Sequence, residues 1–269
     1  MSWFTPHQGA HAEKRRGAPS ESPPPARALP PPPALPPDRA LPPDPPASAW
    51  NGYAPPPPAG HDAECGIARD LFLIAHRDTD GKPLLPPRIM GMAMAGALLS
   101  ELALLGRVGI RDRTLIIVNG TLPAGELTRS VLRALLGQPD PLPVKDWIAY
   151  LASGSTTAVG EQLARDGVVR ASKRLRAWRY VPVDSTNAFF TAGRLAVMLE
   201  DGVRRFSLPE ATLIGLVDAA GLIEQLPTVR PTANRGRAAE VVQSLTWPLD
   251  GLVAETAGVI ENAIRTRRT

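Results

Sequence analysis

The sequence predicts a mostly α domain with two small β-hairpins, preceded by a disordered, Pro-rich tail, and three observations carry that prediction. Of the 31 Pro in 269 residues, 19 lie in the first 60. From Ile67 onward most apolar residues recur at helical spacing. In two stretches, near 108–118 and 168–183, β-branched residues and alternation replace that period.

The tail, residues 1–64, holds the runs Pro23 to Pro25, Pro30 to Pro33 and Pro55 to Pro58. It lacks the apolar content that offsets ordering entropy, so it is expected to be extended or disordered, a flexible spacer or partner-binding segment. The foldable part is 65–269, long enough for one sizeable core. Ile67, Leu71 and Ile74 mark a first helix over about 66–77, stopped by Asp78-Thr-Asp-Gly81. Pro86-Pro87 start a second, and its apolar residues from Ile89 to Leu105 occur all round, the pattern of a central buried helix capped by Gly106.

Val108–Ile110 and Leu115–Val118 form a hairpin around Arg111-Asp112-Arg113. Leu127, Val131 and Leu135 mark a third helix ending at Gly137. After Pro139, Pro141 and Pro143, the stripe Val144, Trp147, Ile148 and Leu151 predicts a short amphipathic helix with Trp147 as a core anchor. A separate helix is expected from about Thr156 to Asp166, stopped by Gly167. The second hairpin is Val168–Ala171 with Leu175–Val183. Helices follow at about 186–200 and 208–220, the latter opened by the capping box Ser207-x-x-Glu210. Two more, about 233–246 and 251–265, are split by Pro248.

Residues 1–64 carry 5 basic and 6 acidic side chains, and 65–269 carry 25 and 20. A net charge of about +5 on the folded part permits an anionic partner without requiring one. Arg outnumbers Lys 26 to 4, which together with abundant Ala and Pro reads as a GC-rich base composition. Cys65 is the single cysteine, so an intramolecular disulfide or a multi-thiolate metal site is excluded and a reducing compartment is expected. The opening is too polar and Pro-rich for a secretory signal. The longest apolar run, Ile89 to Leu99, falls short of the ~20 residues that span a bilayer.

Catalytic signals are thin. His7, His11 and His61 lie in the tail, leaving His76. His76-Arg77-Asp78 matches the kinase catalytic loop only superficially, since Pro83 stands where an Asn is required. Asp78, Asp80 and Gly81 resemble half a calcium loop without its closing Glu. Phosphate-cradling and nucleophile-elbow motifs are missing. The expectation is a protein that is not an enzyme, with no cofactor, no metal and no small-molecule substrate.

The informative cluster is Arg170, Lys173, Arg174, Arg176, Trp178, Arg179 and Tyr180, free of acidic residues. If Leu175–Val181 is a strand, alternation puts Arg174, Arg176, Trp178 and Tyr180 on one face and Leu175, Ala177 and Val181 on the other, with Arg179 breaking the inner set. Three readings stay open. An exposed face of cations and aromatics suits anionic phospholipid, with Trp and Tyr at the interface. It also suits nucleic-acid phosphates, and helix followed by hairpin is the outline of a winged helix. Against that, no preceding helix carries a base-reading face. Third, Trp178 and Tyr180 pack on a neighbouring helix behind a solvated Arg rim.

Read in order, Asp70 to Ile74, Asp80-Gly81 and Ala97-Leu-Leu-Ser-Glu-Leu-Ala-Leu-Leu-Gly-Arg107 resemble the opening of the Golgi phosphoprotein three family. Trp147-Ile148 with Leu151, Leu163 with Gly167-Val168-Val169, and Leu213 to Leu222 extend the resemblance over about 66–265. The chain looks like a bacterial member. The resemblance implies a mostly α, non-enzymatic, peripheral membrane protein, of a family that recognises phosphatidylinositol 4-phosphate in its eukaryotic members and dips a hydrophobic hairpin into the bilayer. The family's headgroup pocket uses a Trp and three Arg; ungapped counting places these positions on Pro86, Ala95, Ser153 and Thr156, with Arg88 near the first pair.

The resulting expectation is a cytoplasmic protein, peripheral on the inner face of the cell membrane, that binds anionic lipid through the basic-aromatic hairpin. At ~1 kcal/mol per basic residue, stable attachment would need a homo-oligomer or a second contact. The alternatives are a winged-helix-like nucleic-acid-binding module and a protein-interaction adaptor.

Overall fold

The computed structural model describes residues 66–174, 177–201, 205–227 and 231–266, so the expected tail at 1–64 lies outside the described residues. Among these are eight α-helices and two antiparallel hairpins. In order they are α1 (Ile67–Ile74), α2 (Pro87–Leu104), β1 (Val108–Arg111), β2 (Thr114–Ile117), α3 (Glu126–Leu136) and α4 (Val144–Arg165). Then come β3 (Val169–Arg174), β4 (Ala177–Pro182), α5 (Ser185–Glu200), α6 (Leu208–Ala219), a 3-10 turn at Ile223–Gln225, α7 (Pro231–Gln243) and α8 (Leu249–Arg265).

The helix that is apolar all round is the central one. Every residue of α2 from Ile89 to Ala103 is buried, and α1, α3, α4, α6 and α8 all pack on it. Gly106 ends it with φ +66°: the Gly106 amide donates to the Ala103 carbonyl and the Arg107 amide to the Leu102 carbonyl, the paired bonds of a Schellman cap. Ser207 and Glu210 form the expected capping box on α6. Asp112 and Arg113 turn the first hairpin with φ of +48° and +62°, the two-residue turn whose twist matches its strands. Trp247 Nε1 donates to the Ile110 carbonyl at 2.9 Å and Arg113 pairs with Glu255 at 2.6 Å, tying this hairpin to the chain around α8.

One expected break does not exist. The short helix at 144–151 and the helix at 156–166 are a single helix, α4. The run Ser153-Gly-Ser-Thr-Thr157 looks like a loop, but Ser155 Oγ donates to the Leu151 carbonyl at 2.7 Å and Ser153 Oγ to the Tyr150 carbonyl at 3.1 Å. The hydroxyls thus bond back into their own helix. Leu151, Ser155, Val159 and Leu163 then continue one buried stripe at intervals of four, and Trp147 anchors it in the core at 6% exposure.

Glu101, which opens the Glu101-Leu-Ala-Leu104 stretch, is a buried side chain whose Oε1 accepts the Ala68 amide at 3.0 Å. It satisfies an amide in the first turn of α1, which its N-cap Gly66 leaves without a side-chain partner. Glu101→Ala is expected to cost about 2 kcal/mol, roughly 4–8 °C in the unfolding midpoint, because it orphans a buried donor. Glu101→Gln keeps an acceptor oxygen and should recover most of that loss; a thermal melt of each variant is the check.

Candidate functional site

The second hairpin follows α4 directly. In its register Val169 faces Pro182, Arg170 faces Val181, Ala171 faces Tyr180, Ser172 faces Arg179, Lys173 faces Trp178 and Arg174 faces Ala177. Residues directly opposite one another share a face, so two sets emerge. Val169, Pro182 and Tyr180 are buried, and Ala171 and Trp178 are half-buried against the core: this is the inner face. Arg170 is exposed, and Ser172, Arg179 and Val181 are half-buried on the other. Of the remaining expected site residues, Arg176 lies outside the described residues, and Lys173 and Arg174 are placed by backbone register alone.

The expected exposed face shared by cations and aromatics is therefore corrected. Alternation groups Trp178 with Tyr180 properly, but that group points inward. Each ring has more area to bury than Val181 or Ala177, so burying the rings wins. Tyr180 is 6% exposed, and it lies edge-on to Phe72 of α1 with ring centroids 5.6 Å apart. Gly160 of α4 makes room for it: a Cβ there would lie 2.7 Å from the ring's Cζ. Burial, aided by the negative charge of Glu161, pushes the Tyr180 hydroxyl up to about 12. Arg179, which interrupted the supposed inner face, sits instead on the outer face with Arg170.

The end of α1 braces β4. His76 is buried, stacks on Phe72 at 4.1 Å, and its Nδ1 lies 2.7 Å from the Phe72 carbonyl, so Nδ1 carries the proton and donates. Beyond it the chain turns as expected. Arg77 pairs with Asp80, whose Oδ1 also accepts the Lys82 amide at 3.0 Å. These contacts hold the Asp80 carboxyl down at about 2. Gly81 closes the turn at φ +62° and lies so near the Tyr180 carbonyl that a Cβ there would collide with it. The hairpin is thus fixed on two sides, by the rings of α1 and by this turn.

The four headgroup positions implied by the resemblance are dispersed in character. Pro86 is exposed at the start of α2, Ala95 is fully buried inside it, Ser153 is exposed on α4, and Thr156 is half-buried with its Oγ1 enclosed and unpaired. A cleft of about 690 Å³ opens beside the first of them, lined by Pro86, Pro87, Arg88, Ile89, Ala263 and Ile264. Arg88, which the sequence places near the first pair, is a cation on this lining among the described residues, whereas the far wall comes from α8, about 175 residues away in sequence, a distance no local pattern bridges. Among the described residues no helix is long and apolar enough to cross a membrane.

Comparison with curated proteins finds no match. The family model described as Golgi phosphoprotein 3 (GPP34) matches residues 67–257, from the first residue of α1 to the middle of α8. The chain belongs to the Golgi phosphoprotein 3 (GPP34) family.

Proposed function

We propose that this domain acts by binding rather than catalysis, docking reversibly on an anionic lipid surface through the outer face of the β3–β4 hairpin. The observation that carries the reading is the division of that hairpin. Its aromatic face is anchored on α1 and α4, which leaves Arg170 exposed and without an ion pair among the described residues, with Arg179 on the same face. Membership of the family, for which lipid interaction is characteristic, supports it. The cytoplasmic face of a cell membrane is the surface that fits.

At ~1 kcal/mol per cation near an anionic surface, a few arginines give weak attachment unless a second copy or a second contact adds to it. Selectivity for phosphatidylinositol 4-phosphate is a separate matter. None of Pro86, Ala95, Ser153 and Thr156 is cationic, and Ala95 is enclosed, so the reading favours charge-driven docking over headgroup recognition. The test is co-sedimentation of the full chain with neutral vesicles, vesicles containing phosphatidylserine, and vesicles containing phosphatidylinositol 4-phosphate. Equal pelleting with both anionic types is expected, falling as salt rises. Arg170→Glu with Arg179→Glu should weaken it by more than about thirtyfold, because two cations worth ~1 kcal/mol each are lost and two anions are added. Unchanged pelleting of that double variant would remove the hairpin from the site, and equal pelleting with neutral vesicles would remove the electrostatic mechanism.

A further inference from the structure

We propose that His76 is a pH-sensitive latch on the β3–β4 hairpin: protonation of its imidazole at mildly acidic pH loosens β4 from α1 and from the 77–82 turn. Three geometric facts converge on it. The ring is buried and stacked on Phe72, the same residue whose ring meets the edge of Tyr180. Nδ1 is already committed to the Phe72 carbonyl, so a second proton must go to Nε2. The chain leaving His76 returns at Gly81 against the backbone of Tyr180. His76 therefore touches the support of the hairpin from both ends.

The charges around it do not welcome a cation. Burial does most to lower the imidazole's affinity for a proton; the bond to the Phe72 carbonyl works against it, and Arg179 on β4, of the same sign, adds to the lowering. On the adjoining turn Asp80 is engaged by Arg77 and the Lys82 amide, Asp78 is half-buried and Lys82 is exposed. α2 has no titratable side chain between Arg88 and Glu101. From α4, Glu161 acts on Tyr180; from α5, Arg194 pairs with Asp70, six residues before His76. On α6, Glu210 serves the cap and Asp218 lies near Arg235. The sign follows. The docked state holds His76 neutral, whereas the loosened state protonates near the ordinary value of 6.5. Docking is therefore favoured above 6.5 and lost as pH falls below it, by up to tenfold in the opening equilibrium per pH unit until the docked ring also protonates.

The latch is independent of what the hairpin binds; its use as a regulator of lipid contact rests on the function proposed above. Amide hydrogen exchange of the full chain at pH 7.5 and 5.0, corrected for intrinsic rates, reads it directly. Protection of 169–182 is expected to fall about tenfold or more in the wild type and to stay level in His76→Asn, whose side-chain amide replaces Nδ1 as a neutral donor. Level wild-type protection, or an equal fall in His76→Asn, overturns the latch. If that variant does not fold, the imidazole titration of the wild type by NMR decides: a midpoint below 6.5 that coincides with the loss of protection sustains the proposal, and one that does not coincide ends it. Pelleting with phosphatidylserine vesicles at the two pH values separates the layers. Loosening without altered pelleting refutes the regulatory use alone, and pelleting that depends on Arg170 and Arg179 while protection stays level refutes the latch alone.

Discussion

Gly91→Ala is expected to lower the thermal midpoint of the full chain by roughly 6–12 °C, the effect of about 3 kcal/mol in a domain of this size. Helix propensity alone predicts the opposite sign, since Ala is better than Gly inside a helix by ~1 kcal/mol. Packing decides the matter. A Cβ at position 91 would collide with the Ala152 carbonyl oxygen and lie 3.0 Å from its carbon, and a backbone neighbour cannot rotate away as a side chain can. α2 cannot retreat either, because it is buried from Ile89 to Ala103 and any shift disturbs α1, α6 and α8. Gly258 on α8 is the control: nothing lies within 4 Å of its added Cβ, so Gly258→Ala should raise the midpoint by about 1–4 °C. Equal shifts of the two variants would mean that the close approach of α2 to α4 is not what limits residue 91.

That contrast shows which parts of the fold can be read from the sequence. The central position of α2, the Ser207 and Glu210 cap and the turn at Asp112-Arg113 are all local: each follows from residues within a few positions of one another. The continuity of α4 was hidden because hydroxyls and glycine are loop formers, and only Ser155 bonding to Leu151 shows them serving a helix. The bond from Ala68 to Glu101 spans 33 residues, and the Gly91 contact with Ala152 spans more. Nothing in the spacing of either partner announces the other.

The site divides in the same way. Alternation reports which residues share a face of a strand but not which face is inside, so it grouped Trp178 with Tyr180 and left open whether they were exposed or packed on a helix; the structure buries Tyr180 and half-buries Trp178. The deciding residue is on another element. Gly160 leaves a space on α4 that only a ring from β4 fills, and a lone glycine in a helix does not advertise its occupant. On the proposed function, the two faces of the hairpin would divide its tasks, anchorage by the aromatics and charge by Arg170 and Arg179.

Tyr180→Ala tests that division most severely. Removing a ring that is 6% exposed, set between Phe72 and Gly160, should cost about 3–5 kcal/mol, or at least 6 °C in the midpoint, with the protection of 169–182 lost first. Tyr180→Phe keeps the ring and removes only a hydroxyl that is neutral below about 12, so it should stay within about 1 kcal/mol of the wild type. A membrane-facing tyrosine predicts the reverse pattern: unchanged stability in both variants and a loss of vesicle pelleting in the first. If Tyr180→Ala melts like the wild type, the ring is not the anchor, and the arginines lose the rigid support on which the proposed docking depends. If it melts early while Tyr180→Phe does not, weaker pelleting of the alanine variant follows from a hairpin that no longer holds Arg170 and Arg179 in place, a positioning effect rather than a lost lipid contact.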